Sequence, residues 1–531
     1  METSLIQRWR LKYESELPEV LDHLPKAMVV ARDPIPPLGD AETVQSHFPL
    51  TFGQPVVEVV AGEAQVRQPL KVGVVFSGGQ APGGHNVICG LWDALRGLHR
   101  ESEVIGFIGG PSGLVDNKSI PLSDALLASY RNQGGFDLLG SGRTKIETDA
   151  QFAAALATAQ AHDLDGLLII GGDDSNTNAA YLAEYFHAQG SDTRVIGVPK
   201  TIDGDLKNSY IEISFGHDTA CKTYAEAIGN ICRDALSAKK YYHFIRLMGR
   251  SASHVALECA LQTHPNFTLL SEEVAMKKQT LAHIVEQIAD MICVRALEGK
   301  NYGVILVPEG LIEFVPEMEL LMRELNAGVT PVASQLSIAA AACFESLPHR
   351  IQEQLLLDRD PHGNIQVSKI DTEMLLIEMV SAELEQRKAA GHYTQKFAAQ
   401  GHFLGYEGRS ALPSNFDANY CYALGYAVAA LIEAGCTGYI ACIRHLAGMP
   451  SSWTAWGLPL TSLMAVEERN GKKKTVLRKA LVDLKGAAFR SFAKYRTSWQ
   501  TEDSYLCPGP IQFGGPPSVA NLVLKTLALA S

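Results

Sequence analysis

Six short, almost wholly apolar runs constrain the fold of this chain more than any other feature. They are Val72-Gly-Val-Val-Phe76, Val104-Ile-Gly-Phe-Ile108, Gly166-Leu-Leu-Ile-Ile170, Val195-Ile-Gly-Val198, His243-Phe-Ile-Arg-Leu247 and Gly303-Val-Ile-Leu-Val307. A strand wetted on one face alternates apolar and polar residues. A run without alternation is buried on both faces, as in a parallel sheet. Helical patterns separate the runs: Val87, Ile88, Leu91 and Leu95 share a face, and Ala150 to His162 and Ser253 to Gln262 are helical stretches. Strands alternating with helices predict an α/β, doubly wound architecture.

The remainder of the chain is of other kinds. Residues 1–69, broken by Pro34, Pro36 and Pro37, read as an N-terminal extension without recognisable chemistry. From 311 to 401 the pattern turns helical and polar, clearest over Glu317 to Leu325 and Met374 to Lys388, and reads as an insertion. The length of 531 residues is a prior of roughly three to four domains. A net charge of −12 argues against a general nucleic-acid binder, whose affinity depends on basic residues neutralising phosphates. It leaves room for a small basic pocket. The first ten residues lack an apolar core behind a basic leader, and the stretch Tyr422 to Ala434 is short for a bilayer and carries Glu433. Ten scattered cysteines without a C-x-x-C pair read as reduced thiols, so a cytoplasmic location is expected.

In an open α/β sheet, ligands bind beyond the carboxyl ends of the strands. The first such end is Phe76-Ser-Gly-Gly-Gln-Ala-Pro-Gly-Gly-His-Asn86, whose glycines permit close approach of an anion to backbone and helix start. It matches neither G-x-G-x-x-G nor G-x-x-x-x-G-K-[ST]. A plain tight turn would use the same residues. The second is Ile170-Gly-Gly-Asp-Asp-Ser-Asn-Thr-Asn178. One aspartate suffices to cap a helix, so the pair points to a Mg²⁺ ligand plus a selectivity element. The third, Val198-Pro-Lys-Thr-Ile-Asp-Gly-Asp-Leu-Lys207, gathers two carboxylates, a lysine and a hydroxyl about a glycine turn. That is equipment for phosphoryl transfer, although a solvated surface turn has a similar composition.

Together these loops resemble the phosphofructokinase family, most closely its long pyrophosphate-dependent branch. Gly140-Ser-Gly-Arg143, Leu247-Met-Gly-Arg250, Pro308-Glu-Gly310 and Gly405-Tyr-Glu-Gly-Arg409 follow in the family's order. The resemblance covers about residues 72–310 and 403–425. It implies two doubly wound, Rossmann-like lobes. A donor lobe would span 70–215 with about 402–450, and a fructose 6-phosphate lobe 216–310 with about 451–531. It also implies site residues. Asp203 would take the proton from the sugar's 1-hydroxyl, Asp173 would hold Mg²⁺ with Asp205 in support, and Gly79 would belong to the loop cradling the donor. Arg143 would stabilise the transferring group. Thr201, Ile202, Met248, Gly249, Arg250, Glu309 and the string Tyr406, Glu407, Gly408 and Arg409 would bind fructose 6-phosphate.

Two positions bear on the donor. ATP-using relatives have glycine at the positions of Asp174 and Lys200. A carboxylate at 174 would repel a nucleotide's α-phosphate, and Lys200 would hold pyrophosphate and stabilise it as leaving group. Pyrophosphate is therefore the expected donor. An ATP-dependent 6-phosphofructokinase and a non-catalytic regulatory subunit are the alternatives. The reaction implied is reversible and serves glycolysis and gluconeogenesis. Lys240 and Tyr241, in Ala238-Lys-Lys-Tyr-Tyr-His243, resemble the pair that reaches the sugar's 6-phosphate across the interface of a homodimer. Arg143, Lys200, Lys240, Arg250 and Arg409 are expected to converge on one phosphate-rich cleft.

Overall fold

A computed structural model of the chain describes residues 3–326, 336–357, 359, 365–469 and 472–530. Residues 1–2 of the expected extension, residues 327–335, 358 and 360–364 of the expected insertion, and residues 470–471 and 531 lie outside the described residues. The chain divides into two compact units. The first comprises residues 1–220, 407–480 and 512–523, the second residues 221–406, 481–511 and 524–531.

In the first unit, nine strands among the described residues form one sheet. Its centre is parallel, in the order Tyr439–Arg444, Arg194–Pro199, Gly166–Gly171, Lys71–Phe76 and Glu103–Phe107. Every residue of Gly166–Gly171 is buried, the condition its unbroken apolar run required. From Lys71–Phe76 the chain steps outward to Glu103–Phe107, then returns to build the other side from Gly166–Gly171. The winding therefore reverses between Lys71–Phe76 and Gly166–Gly171, where open α/β sheets bind their ligands. Antiparallel strands Ala27–Pro34, Pro55–Ala61 and Thr454–Pro459 extend the sheet beyond Tyr439–Arg444. The N-terminal segment is also pinned by Arg10, whose buried guanidinium donates to Asn415 Oδ1 (2.7 Å) and Pro413 O (3.0 Å).

In the second unit, four strands among the described residues run parallel in the order Ala399–Leu404, Tyr241–Leu247, Tyr302–Pro308 and Phe267–Thr268. Leu404 and Pro308 both pair with Leu247, so three strands end at one level. Helices Pro316–Asn326, Ile338–Ser346, His349–Leu357 and Thr372–Ala389 follow Tyr302–Pro308 and contribute Leu321, Ile351 and Leu376 to its core. All ten cysteines are free. Among the described residues, no helix is long and apolar enough to cross a membrane.

Candidate active site

The Lys71–Phe76 strand runs into its glycine-rich turn at the point of reversal. Ser77 N–H donates to Ile170 O (2.9 Å), Gly78 N–H to Gly142 O (2.9 Å), and Ser141 Oγ to Gly78 O (2.8 Å). These bonds fix the turn against the Gly140–Arg143 string without help from a ligand. Three cations converge on it. A β-carbon at position 79 would lie 2.6 Å from Arg409 Nη1 and 3.6 Å from Arg143 Nη2, and one at position 78 would lie 3.2 Å from Lys200 Nζ.

At the next strand end the helix Asp173–Ala188 begins. Its N-cap is Gly172, which makes no side-chain cap bond, so neither aspartate is spent as the cap. Asp173 and Asp174 occupy the first turn, where the helix dipole favours negative charge. Asp174, 51% exposed, lies 3.7 Å from Lys145 Nζ, whereas the more buried Asp173 lies 3.6 Å from Lys479 Nζ. Buried Asn176 donates to Gly171 O (2.6 Å) and Gly172 O (2.9 Å), which ties the turn to its own helix.

The third loop follows Arg194–Pro199. Lys200 N–H donates to Gly171 O (3.0 Å), so its side chain starts beside the aspartate pair. Asp203 N–H donates to Thr201 Oγ1 (3.1 Å), Ser214 Oγ to Thr201 O (3.1 Å), and His217 Nδ1 to buried Ile202 O (2.6 Å). Burial lowers the His217 pKa, which keeps the ring neutral, with its proton at Nδ1. Gly204 turns the loop at φ +73°, a conformation glycine adopts without strain. Ala480 N–H donates to Asp205 O (2.7 Å), and Asp205 Oδ2 lies 3.8 Å from Lys479 Nζ.

The electrostatics follow from this crowding. Lys200 is 6% exposed, and burial brings its pKa down to about 8, with Arg409 and Arg143 lowering it and Asp203 and Asp173 opposing. Burial raises Asp205 to about 7, aided by Asp203 and Asp173 and opposed by Lys479. Among the described residues no three metal-ligating side chains cluster. Mg²⁺ does not need three, since it takes one or two carboxylates plus phosphate oxygens and water. Asp173 and Asp205 supply two hard carboxylates close enough to share one ammonium, so the donor set fits that ion.

In the second unit the expected sugar-site residues stand where three parallel strands end. Met248, Gly249 and Arg250 follow Tyr241–Leu247, Glu309 follows Tyr302–Pro308, and Tyr406 follows Ala399–Leu404. Met248 N–H donates to Leu404 O (3.2 Å) and Glu309 N–H to Leu247 O (2.9 Å), which stitches the three ends together. Met248 and Glu309 are buried, Arg250 and Tyr406 exposed. Arg250 O lies where a β-carbon at position 310 would stand, so the approach of these two loops requires Gly310. In the first unit, Glu407 is exposed and Gly408 buried, just before Arg409.

Lys240 and Tyr241 do not join this group. They stand at the amino end of the same strand whose carboxyl end carries Arg250, about 20 Å away at ~3.3 Å per residue. The expected convergence of all five cations is therefore not met within one chain: a strand's length separates Lys240 from Arg250. Lys240 is exposed, with Nζ 5.4 Å from the Tyr241 ring centroid, and Tyr241 holds φ +72°, a strained value for an aromatic residue.

A family model described as phosphofructokinase matches residues 71–432, more than half of the chain. This chain belongs to the phosphofructokinase family. A Solanum tuberosum protein named pyrophosphate–fructose 6-phosphate 1-phosphotransferase subunit beta is 53% identical over 539 residues, covering 99% of this chain and 94% of the relative. A Treponema pallidum pyrophosphate–fructose 6-phosphate 1-phosphotransferase is 51% identical, covering 100% of this chain and 97% of its own length. The crystal structure of a pyrophosphate-dependent phosphofructokinase from Nitrosospira multiformis has a TM-score of 0.55 at 17% identity, covering 86% of this chain and 96% of that one. It shares the phosphofructokinase fold.

Sequence reasoning missed three residues that stand against these loops: Lys145, His217 and Lys479. Lys145 stands two residues beyond Arg143, so proximity hinted at it. Lys479 follows a run of lysines that reads as an ordinary solvated hairpin.

Proposed function

We propose that this phosphofructokinase transfers a phosphoryl group reversibly from pyrophosphate to the 1-hydroxyl of D-fructose 6-phosphate, giving fructose 1,6-bisphosphate and phosphate. The observation that carries the reading is the convergence of Lys200, Arg143 and Arg409 on the Gly78–Gly79 turn, with Asp174 at the adjoining helix start. The names of full-length relatives at about half identity support it.

Phosphoryl transfer is mostly positioning and charge stabilisation. Gly78 and Gly79 let pyrophosphate approach backbone N–H groups. Lys200 and Arg143 stabilise the moving phosphoryl group and the phosphate that leaves. Asp203, partly buried on its pinned loop, takes the proton of the 1-hydroxyl. Arg250 and Arg409 suit phosphate, with forked donors matched to its oxygens, and Glu309 accepts from sugar hydroxyls. Asp173, with Asp205 beside it, would hold Mg²⁺, which neutralises phosphate charge when bound. Asp174 excludes a nucleotide by placing negative charge where an α-phosphate would lie. Lys240 and Tyr241 serve the 6-phosphate of a second subunit in a homodimer, a role supported by their distance from Arg250. The reaction belongs to glycolysis and gluconeogenesis in the cytoplasm.

The test is a donor assay with Mg²⁺ and fructose 6-phosphate. Turnover is expected with pyrophosphate and not with ATP. Turnover with ATP alone would overturn the reading, and inactivity with both donors would favour a regulatory subunit. In the same assay Asp174→Gly is expected to gain measurable ATP use. A variant with none would remove the repulsion account of Asp174.

A further inference from the structure

Lys479 occupies an unusual position for a lysine just past a hairpin. The chain leaves the strand Lys472–Leu477 and returns to the third loop, where Ala480 N–H donates to Asp205 O at 2.7 Å. That bond sets Lys479 Nζ 3.6 Å from Asp173 Oδ2 and 3.8 Å from Asp205 Oδ2. One ammonium therefore faces two carboxylates that come from different strand ends. Both distances exceed a direct hydrogen bond, so the cation stands between the carboxylates as a shared counter-ion. The side chains are 28%, 19% and 6% exposed for Lys479, Asp173 and Asp205, and screening by water is correspondingly incomplete. Lysine suits such a place better than arginine, because its charge is compact and rides on a flexible stem that can withdraw. A Mg²⁺ ion binds oxygen at about 2.0–2.1 Å, so an ion bridging these carboxylates and this ammonium cannot share the space.

We propose that Lys479 is a built-in competitor of the divalent cation. It partly offsets the charge of Asp173 and Asp205 while no metal is bound and is displaced when the metal arrives, which weakens metal binding to the protein alone. The proposal rests on the reading of Asp173 as the metal ligand.

The test uses the full-length protein without substrates and Mn²⁺ as the probe, with free Mn²⁺ followed by electron paramagnetic resonance. Lys479→Met is expected to tighten Mn²⁺ binding by about tenfold or more, because the competing charge is gone. Lys479→Arg, which keeps the charge, is expected to bind near the wild-type level. A merely structural lysine would give the opposite sign, since disordering the loop loosens a metal site. Asp173→Asn separates the two ideas. Undiminished Mn²⁺ binding in that variant would overturn the metal reading and this proposal with it. Weaker binding there, combined with unchanged or weaker binding in Lys479→Met, would overturn the competitor role and leave the metal site standing. A measurement on the wild type avoids any folding defect in the variants. Saturating Mn²⁺ should increase acylation of Lys479 by an amine reagent, read by peptide mass spectrometry, and unchanged labelling would overturn displacement.

Discussion

At the scale of single residues, Lys200 shows a site working against its own stability. Its ammonium lies in a buried place beside two guanidinium groups, and its pKa falls from 10.5 to about 8. The sign follows from proton counting. Between about pH 8 and 10.5 the unfolded chain carries a proton that the folded chain has shed, so stability rises with pH across that window. Below it the folded protein bears the whole cost, about 3 kcal/mol for a shift of this size. A bound pyrophosphate would relieve that cost by pairing the charge. Lys200→Met is therefore expected to melt a few degrees above wild type at pH 7 while losing pyrophosphate turnover. An earlier melt would mean that Asp203 and Asp173 outweigh burial. Pyrophosphate affinity of the wild type should weaken above about pH 8 as the ammonium is lost, and Lys200→Arg, which does not titrate there, should flatten that limb.

At the scale of elements, two kinds of glycine separate packing from function. Helices Gly84–Leu98 and Asn415–Glu433 cross at backbone contact. A β-carbon at position 425 would lie 2.4 Å from Val87 O and Leu91 N, and one at position 90 would lie 2.2 Å from Tyr422 O. Backbone cannot step aside there, so Gly425→Ala should cost on the order of 3 kcal/mol despite alanine's better helix propensity. Gly79→Ala is crowded only by the end of Arg409, 2.6 Å away and flexible, and meets Arg143 Nη2 at an ordinary 3.6 Å. Its melting should stay near wild type while KM for pyrophosphate rises about tenfold, the loss of one charge-assisted bond. Comparable destabilisation in the two variants would contradict this division. The six central strands were legible because two-sided burial leaves an unmistakable apolar run. The strand Pro55–Ala61, second from the sheet's edge, carries Glu58 amid its valines, is only partly buried, and sits in a segment otherwise broken by prolines, so its signal was diluted. The loops of the proposed site stood out in the sequence because their glycines and carboxylates lie within ten residues of a strand. Lys479 was not, since it reaches Asp205 only through a return of the chain that local pattern does not encode.

At the scale of the whole molecule, the separation of Lys240 from Arg250 along one strand makes a strong demand. If both serve the same sugar phosphate, they must come from different chains, and a two-fold dimer then builds each sugar site from both protomers. The expected particle is twice 57.5 kDa by light scattering. Function tests the sharing more sharply than mass. Asp203→Asn should lose activity by about 10²–10⁴-fold through its missing base, and Lys240→Ala should lose fructose 6-phosphate affinity. Mixed after dissociation and reassembly, and assayed at a fructose 6-phosphate concentration too low for Lys240→Ala to turn over, the two proteins make heterodimers in which one of the two sites has both its own Asp203 and the other chain's Lys240. With random pairing, half of the dimers are mixed and half of their sites are whole, so activity should return to about a quarter of wild type. Were Lys240 to act within its own chain, every site in the mixture would lack one of the two groups and no activity would return.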